Sequence, residues 1–174
     1  MKNQINPLVS IIMGSDSDLK VMQDAAKVME EFSIPYEIDI ISAHRTPHRA
    51  MEFSKTAHEK GVKVIIAAAG LAAHLAGSIA AHTPLPVIGV PIAGGSLNGI
   101  DSLYSTVMMP PGIPVATVAV NGAKNAGLLA IQILSLSDPA LQEKILKYKK
   151  KMADEVKAKS DKLKDIGYKA YLGI

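Results

Sequence analysis

Short apolar runs alternate with amphipathic stretches along most of this chain, and few folds tolerate that pattern. The run at 8–13 ends in Gly14-Ser15-Asp16-Ser17-Asp18. Val21, Met22, Ala25, Val28, Met29 and Phe32 then recur at helical spacing, which predicts a helix from 18 to 32. Further runs at 36–41, 62–68, 86–90 and 114–120 read as strands. Helical stretches follow at 47–60, with Pro47 suited to a first turn, and at 72–81, 123–136 and 139–159. The connection 91–112 is long and holds room for a short helix at 101–108. Strands separated by helices form βαβ units, which force parallel pairing with right-handed crossovers. The expected fold is therefore α/β: a three-layer, doubly wound parallel sheet of about five strands with a C-terminal helix. A catalytic domain over 1–158 and a tail over 159–174 are the expected divisions. In such sheets ligands bind outside the carboxyl ends of the strands, so the polar breaks after the first three strands are the first places to look.

Composition narrows the function classes. A chain of 174 residues suffices for one domain, which hides roughly 70% of its unfolded surface. With 48% apolar and 20% charged residues it has the makings of a packed core rather than of a disordered segment. The absence of Cys excludes disulfides, thiolate chemistry and cysteine metal sites. No apolar run reaches the roughly 18 residues of a membrane span, and 1–7 has no signal-peptide h-region. A cytoplasmic protein with no membrane contact is expected. The net charge of +3 hides an asymmetry, since 144–174 carry 10 Lys against 4 acids while the rest carries 9 basic and 12 acidic residues. Those lysines alternate with apolar residues at helical spacing, which reads as a solvated helix face rather than a nucleic-acid site. The absence of Trp and the scarcity of Phe and Tyr argue the same way.

Three strand-end segments carry candidate chemistry. In Gly14-Ser15-Asp16-Ser17-Asp18, hydroxyls stand beside a helix N-terminus, whose free N–H groups favour phosphate; plain N-capping would use the same residues. The segment lacks the residues of a dinucleotide or P-loop motif. In Ser42-Ala43-His44-Arg45-Thr46-Pro47, His44 can gain or lose a proton near neutrality and Arg45 offers a planar fork to an anion. A loop that merely caps the next helix is the plainer alternative. In the small-residue stretch 67–77, Gly70 and Ala73 allow close backbone approach to a ligand, and His74 has no sequence-local partner. Tight packing around a satisfied histidine would also explain it. His48, His58 and His82 read as surface or structural, and no two histidines have metal-ligand spacing with a nearby carboxylate, so no metal is expected. Ser96 to Leu103 lies in the long connection, where function often concentrates.

Taken together, Gly14-Ser15-Asp16-Ser17-Asp18, Ser42-Ala43-His44-Arg45-Thr46-Pro47, the stretch 69–77, Gly89-Val90-Pro91, the stretch 97–103 and the stretch 109–115 resemble one family in its order. Over residues 9–136 the chain resembles the N5-carboxyaminoimidazole ribonucleotide mutases, the PurE family of purine biosynthesis. The resemblance implies a flavodoxin-like fold, a homo-octamer, and an isomerase that moves a carboxylate from N5 to C4 of an aminoimidazole ribotide. It implies no metal, ATP or organic cofactor, and a place after an ATP-dependent synthase of the N5-carboxy substrate. By position, Ser15, Ser17 and Arg45 would hold the phosphate and Asp18 the ribose hydroxyls. His44 would be the acid/base, Ser42 and Ala43 would line the space for carbon dioxide, and the loop from Gly70 through Ala73 to His74 would cover the ring. The related carboxylases, which use carbon dioxide directly, tend to have Lys at position 45 and lack the run Ala72-Ala73-His74-Leu75. Direct carboxylation is thus the alternative activity. Many members have Gly at position 71 and Gln at 108, where this chain has Leu71 and Met108.

Overall fold

The computed structural model describes residues 6–174. The expectation about a signal peptide in 1–7 falls mostly outside them. Five parallel strands form one sheet in the order β2-β1-β3-β4-β5, where β1 is Val9–Met13, β2 Tyr36–Ile40, β3 Val64–Gly70, β4 Val87–Ile92 and β5 Ala116–Thr117. This is the flavodoxin-like order, and the expected doubly wound α/β sheet is what the chain forms. The helices are α1 (Leu19–Phe32), α2 (Pro47–Thr56), α3 (Leu75–Ala80), α4 (Ile100–Val107), α5 (Ala123–Ser135) and α6 (Pro139–Leu172).

Central strands in a parallel sheet are covered on both faces and need apolar side chains throughout. In β1 and β4 every residue is buried. The one polar side chain in β1, Ser10, donates to Glu37 Oε1 on neighbouring β2 at 2.9 Å, so its burial leaves no unmet donor. The edge strand β2 is only half buried. Ile12, Ile65, Ala67 and Val87 face α2 and α3, where Ala50, Phe53, Leu75 and Ile79 close one core layer. On α5, a Cβ at Gly127 would come within 2.9 Å of Val28 Cβ and 3.3 Å of Ala25 Cα on α1. That glycine lets the two helices touch. Gly89 plays the same part on the other face, where a Cβ would overlap Thr106 of α4 and lie 2.8 Å from Val115 Cγ1.

Several elements differ from the sequence expectation. β5 is two residues long, not the whole of 114–120. Its pairing stops early because Gly122 N–H turns back to Ala119 O at 2.8 Å and Asn121 N–H caps Pro91 O at 2.8 Å. β4 extends past Val90 through a proline. Pro91 is tolerated because its nitrogen faces the β5 side, where the ladder has already ended. The helix expected to start at residue 72 starts at Leu75, leaving 71–74 as a loop.

The chain divides into two compact units, the first reaching Leu134 and the second running from Ser135 to Ile174. The second is essentially α6. Asp138 caps it, accepting from Ala140 and Leu141 N–H at 3.0 Å each, with Pro139 in the first turn. Glu143–Lys147 and Lys150–Asp154 pair one turn apart along its exposed surface at 2.7 and 3.0 Å. The helix expected to stop near Lys159 instead continues to Leu172, with one non-helical break at Gly167. The segment read as a tail is thus helical for most of its length. Among the described residues, no helix is long and apolar enough to cross a membrane.

Candidate active site

The strand order reverses between β1 and β3, so the crossovers leave β1 in one direction and β3 in the other. The loops at the carboxyl ends of β1, β2, β3 and β4 rim a single cleft of about 640 Å³. That volume suits a ligand the size of a nucleotide. Gly14, Ser15, Ser17, Asp18, Ser42, Ala43, His44, Arg45, Gly70 and His74 all line it. Ala73, also expected here, is 1% exposed and is not part of the lining.

The loop after β1 makes one short turn, Asp16–Asp18, before α1 begins. Ser15 caps that turn, its Oγ accepting from Ser17 N–H at 3.4 Å. The Ser17 hydroxyl donates to Asp18 Oδ1 at 3.2 Å. Asp18 is buried, and this pushes its carboxyl above the ordinary aspartate value. The hydrogen bonds from Ser17 and the Ser15 backbone and the charge of Arg45 pull the other way, and Asp16 adds to the rise.

The loop after β2 is tied down by Thr46, whose Oγ1 donates to Ser42 O at 2.9 Å and accepts from Ser42 N–H at 3.2 Å. Ser42 Oγ in turn accepts from the Arg45 backbone at 3.1 Å and from Arg45 Nε at 3.3 Å. Arg45 then reaches across to donate through Nη2 to Gly14 O at 2.6 Å. The guanidinium therefore stitches the β1 and β2 loops together beside Ser15 and Ser17. Its remaining N–H groups form part of a fork suited to a phosphate.

His44, in the loop after β2, meets His74 in the loop after β3. His44 Nε2 and His74 Nδ1 are 2.8 Å apart, with the rings edge to face at 83°. One of these nitrogens must carry the proton and the other must be bare. Both rings are exposed to the cleft, so the nitrogen that carries the proton can give it to a reacting atom placed there and the bare one can accept a proton.

The long connection contributes differently from the expectation. Ile92, Ala93, Gly94 and Gly95 line the cleft, whereas Ser102 is buried and donates to Ile92 O at 2.8 Å and Gly99 O at 3.0 Å. The stretch that begins at Ser96 thus supports the β4 loop from behind. Leu71 stands on the rim with φ 55, in the left-handed region where glycine is at ease and a side chain is strained. Among the described residues no group of three or more His, Cys, Asp or Glu side chains gathers as a metal site.

Comparison with known proteins decides the family. The family model described as AIR carboxylase matches residues 8–155. The chain belongs to the AIR carboxylase family. Within that family, it is 59% identical over 172 residues to the N5-carboxyaminoimidazole ribonucleotide mutase of Pyrococcus horikoshii, covering 99% of this chain and 97% of that protein. The phosphoribosylaminoimidazole carboxylase of Schizosaccharomyces pombe is 54% identical over 166 residues, which are 95% of this chain but 30% of the yeast protein. Among solved structures, PurE of Treponema denticola superposes with a TM-score of 0.83 at 33% identity, covering 91% of this chain and 99% of that one.

Proposed function

We propose that this chain converts N5-carboxyaminoimidazole ribonucleotide into 4-carboxy-5-aminoimidazole ribonucleotide, an isomerisation in purine biosynthesis. The observation that carries the reading is the imidazole pair, His44 and His74, held 2.8 Å apart in the same cleft as an Arg45 fork braced between two serine loops. A phosphorylated substrate whose chemistry is proton and carbon dioxide transfer needs both parts.

Ser15, Ser17 and Arg45 hold the phosphate, and the Asp18 carboxylate takes the ribose hydroxyls. Gly70 and His74 bring the β3 loop over the ring. His44, as the acid, gives its proton to N5 as the N5–carboxylate bond breaks. Carbon dioxide is freed beside Ser42 and Ala43. C4 attacks it with an electron pair from the ring, and the now neutral His44 removes the C4 proton. One proton goes out and one returns, so the enzyme ends as it began. Acid–base catalysis of this kind contributes about 10²- to 10⁴-fold. Holding carbon dioxide against C4 supplies the rest through a high effective concentration.

The active form is an assembly of identical chains, an octamer, and the exposed apolar side chains of a single chain support self-association. The enzyme acts in the cytoplasm, after an ATP-dependent synthase that makes its substrate. The yeast relative, in which this region is 30% of a longer chain, supports a working partner of that kind.

The test is the reaction itself, run in bicarbonate buffer with the N5-carboxy substrate and, separately, with the uncarboxylated ribotide. The first should give the C4-carboxylated product far faster than the second. His44→Asn should bind the ribotide and lose turnover by at least about a hundredfold. Equal rates from both substrates would identify a direct carboxylase, and near-normal turnover in His44→Asn would remove that imidazole from the mechanism.

A further inference from the structure

We infer that Leu71 decides how much of the carbon dioxide released in the cleft is recaptured at C4 and how much escapes to water. The inference rests on the isomerisation proposed above and assigns a retaining role to a residue outside its acid–base and phosphate-binding parts.

The first observation is the backbone. Leu71 has φ 55, a conformation that glycine adopts freely and that a side chain makes unfavourable. Strain of this sort persists where its surroundings hold it, and it concentrates at working sites. The second is where the side chain goes. Leu71 is 54% exposed and yet lines the cleft, which puts it on the rim. Its Cδ2 lies 2.8 Å from where a Cβ on Gly95 would stand. The isobutyl group therefore rests on the bare backbone of the β4 loop, and the β3 and β4 loops meet through it. Gly95 itself has φ 59, so both its conformation and its lack of a side chain make the seat for Leu71.

The third is the chemistry of that rim. The cleft lining around these strand ends includes Ala69 in β3 and Ala72 in the loop after it, and Ile92 at the end of β4 and Ala93 just beyond it, all apolar. Carbon dioxide is small and carries no net charge, so the charged groups of the cleft hold it only weakly. Its retention depends on the gap through which it would leave and through which water would enter. A branched apolar side chain laid across two loops narrows that gap. The left-handed backbone at Leu71 is what aims it there.

The experiment follows the carbon. The N5-carboxy substrate, labelled in its carboxylate, is turned over in unlabelled bicarbonate by the wild type, Leu71→Ala and Leu71→Gly. The fraction of label lost from the C4 product is read after subtracting loss without enzyme, together with thermal melting of each protein. Both variants should lose severalfold more label than the wild type. Leu71→Gly should melt no lower than the wild type, because it relieves the strained φ; leak and stability then move apart, as a general loosening of the fold would not make them. Unchanged retention in both variants, with wild-type product forming normally, overturns the inference and leaves the isomerisation standing. Leakage in Leu71→Gly alone also overturns it, since loop freedom rather than the side chain would be at work. A wild type that forms no C4-carboxylated product from the N5-carboxy substrate overturns the isomerisation, and this inference with it.

Discussion

Asp18 shows how one residue can be set against the fold. Burial raises its pKa above the ordinary 3.8, which means that its charged form is disfavoured in the folded chain. The sign follows from proton linkage. Between the ordinary value and the raised one the folded state binds more protons than the unfolded state, so stability falls as pH rises through that window. Above it, the ionised carboxylate is a standing cost to the fold. Asp18→Asn removes the charge at nearly constant shape and should leave the melting temperature at pH 7 unchanged or higher. The same change should raise KM for the ribotide by roughly tenfold or more, the worth of a charge-assisted hydrogen bond, with kcat moving less. As pH is lowered, the wild-type KM should climb toward that of Asp18→Asn. A variant that melts lower and binds as tightly would show that Asp18 is a structural cap and not a ligand to the ribose. His44 belongs to the same scale. Its place in the cleft was legible because a histidine next to an arginine at a strand's carboxyl end is an unusual pair. Its contact with His74 was not legible, because 30 residues of sequence separate the two and only the sheet brings their loops together.

At the scale of elements, most of the sheet could be read from hydrophobic period and length, since strands buried on both faces are apolar without interruption. The failures have local causes. β5 was overextended because Val115, Val118 and Val120 suit a strand, whereas its length is set by the turn at Asn121 and Gly122. Gly94 and Gly95 line the cleft, whereas the polar stretch after them carries the more conspicuous sequence signal. The rule that sites lie beyond strand carboxyl ends could have found them, had β4 been carried past Pro91 to its true end at Ile92. Glycines in helices are the other quiet signal. Gly127→Ala would ordinarily help a helix by about 1 kcal/mol. Here the new methyl would meet Val28 Cβ at 2.9 Å and Ala25 Cα at 3.3 Å, neither of them the far end of a flexible chain. Overpacking costs about 1–3 kcal/mol, so the net effect should be destabilising. A lower midpoint in thermal or denaturant unfolding checks this, and a midpoint at or above that of wild type would mean that α1 and α5 can separate at little cost.

For the whole molecule, the question is what covers the apolar surface that a single chain leaves open. In the second unit α6 exposes Met152, Val156 and Leu163, which fall on one face of the helix at 42%, 66% and 42%. A lone solvated helix has no use for such a stripe, and its lysines and acids already pair one turn apart along the surface. In the first unit Tyr104, Val107 and Met108 are exposed at the end of α4, and Ile38 and Ile40 on the edge strand β2. An edge strand with apolar side chains is a hazard unless another chain covers it. These surfaces are what an assembly of identical chains would bury. The octamer proposed above predicts a light-scattering mass of eight chains, each of 18.4 kDa. Replacing both Val156 and Leu163 by Glu puts two charges into that stripe without breaking the helix. Circular dichroism should then report the same helix content, while the scattering mass falls and thermal stability falls with it, because burial between chains is part of what holds the fold. An undiminished eight-chain mass in the double variant would place the contact elsewhere, and a wild type that runs as a single chain would leave both surfaces bare and the assembly refuted.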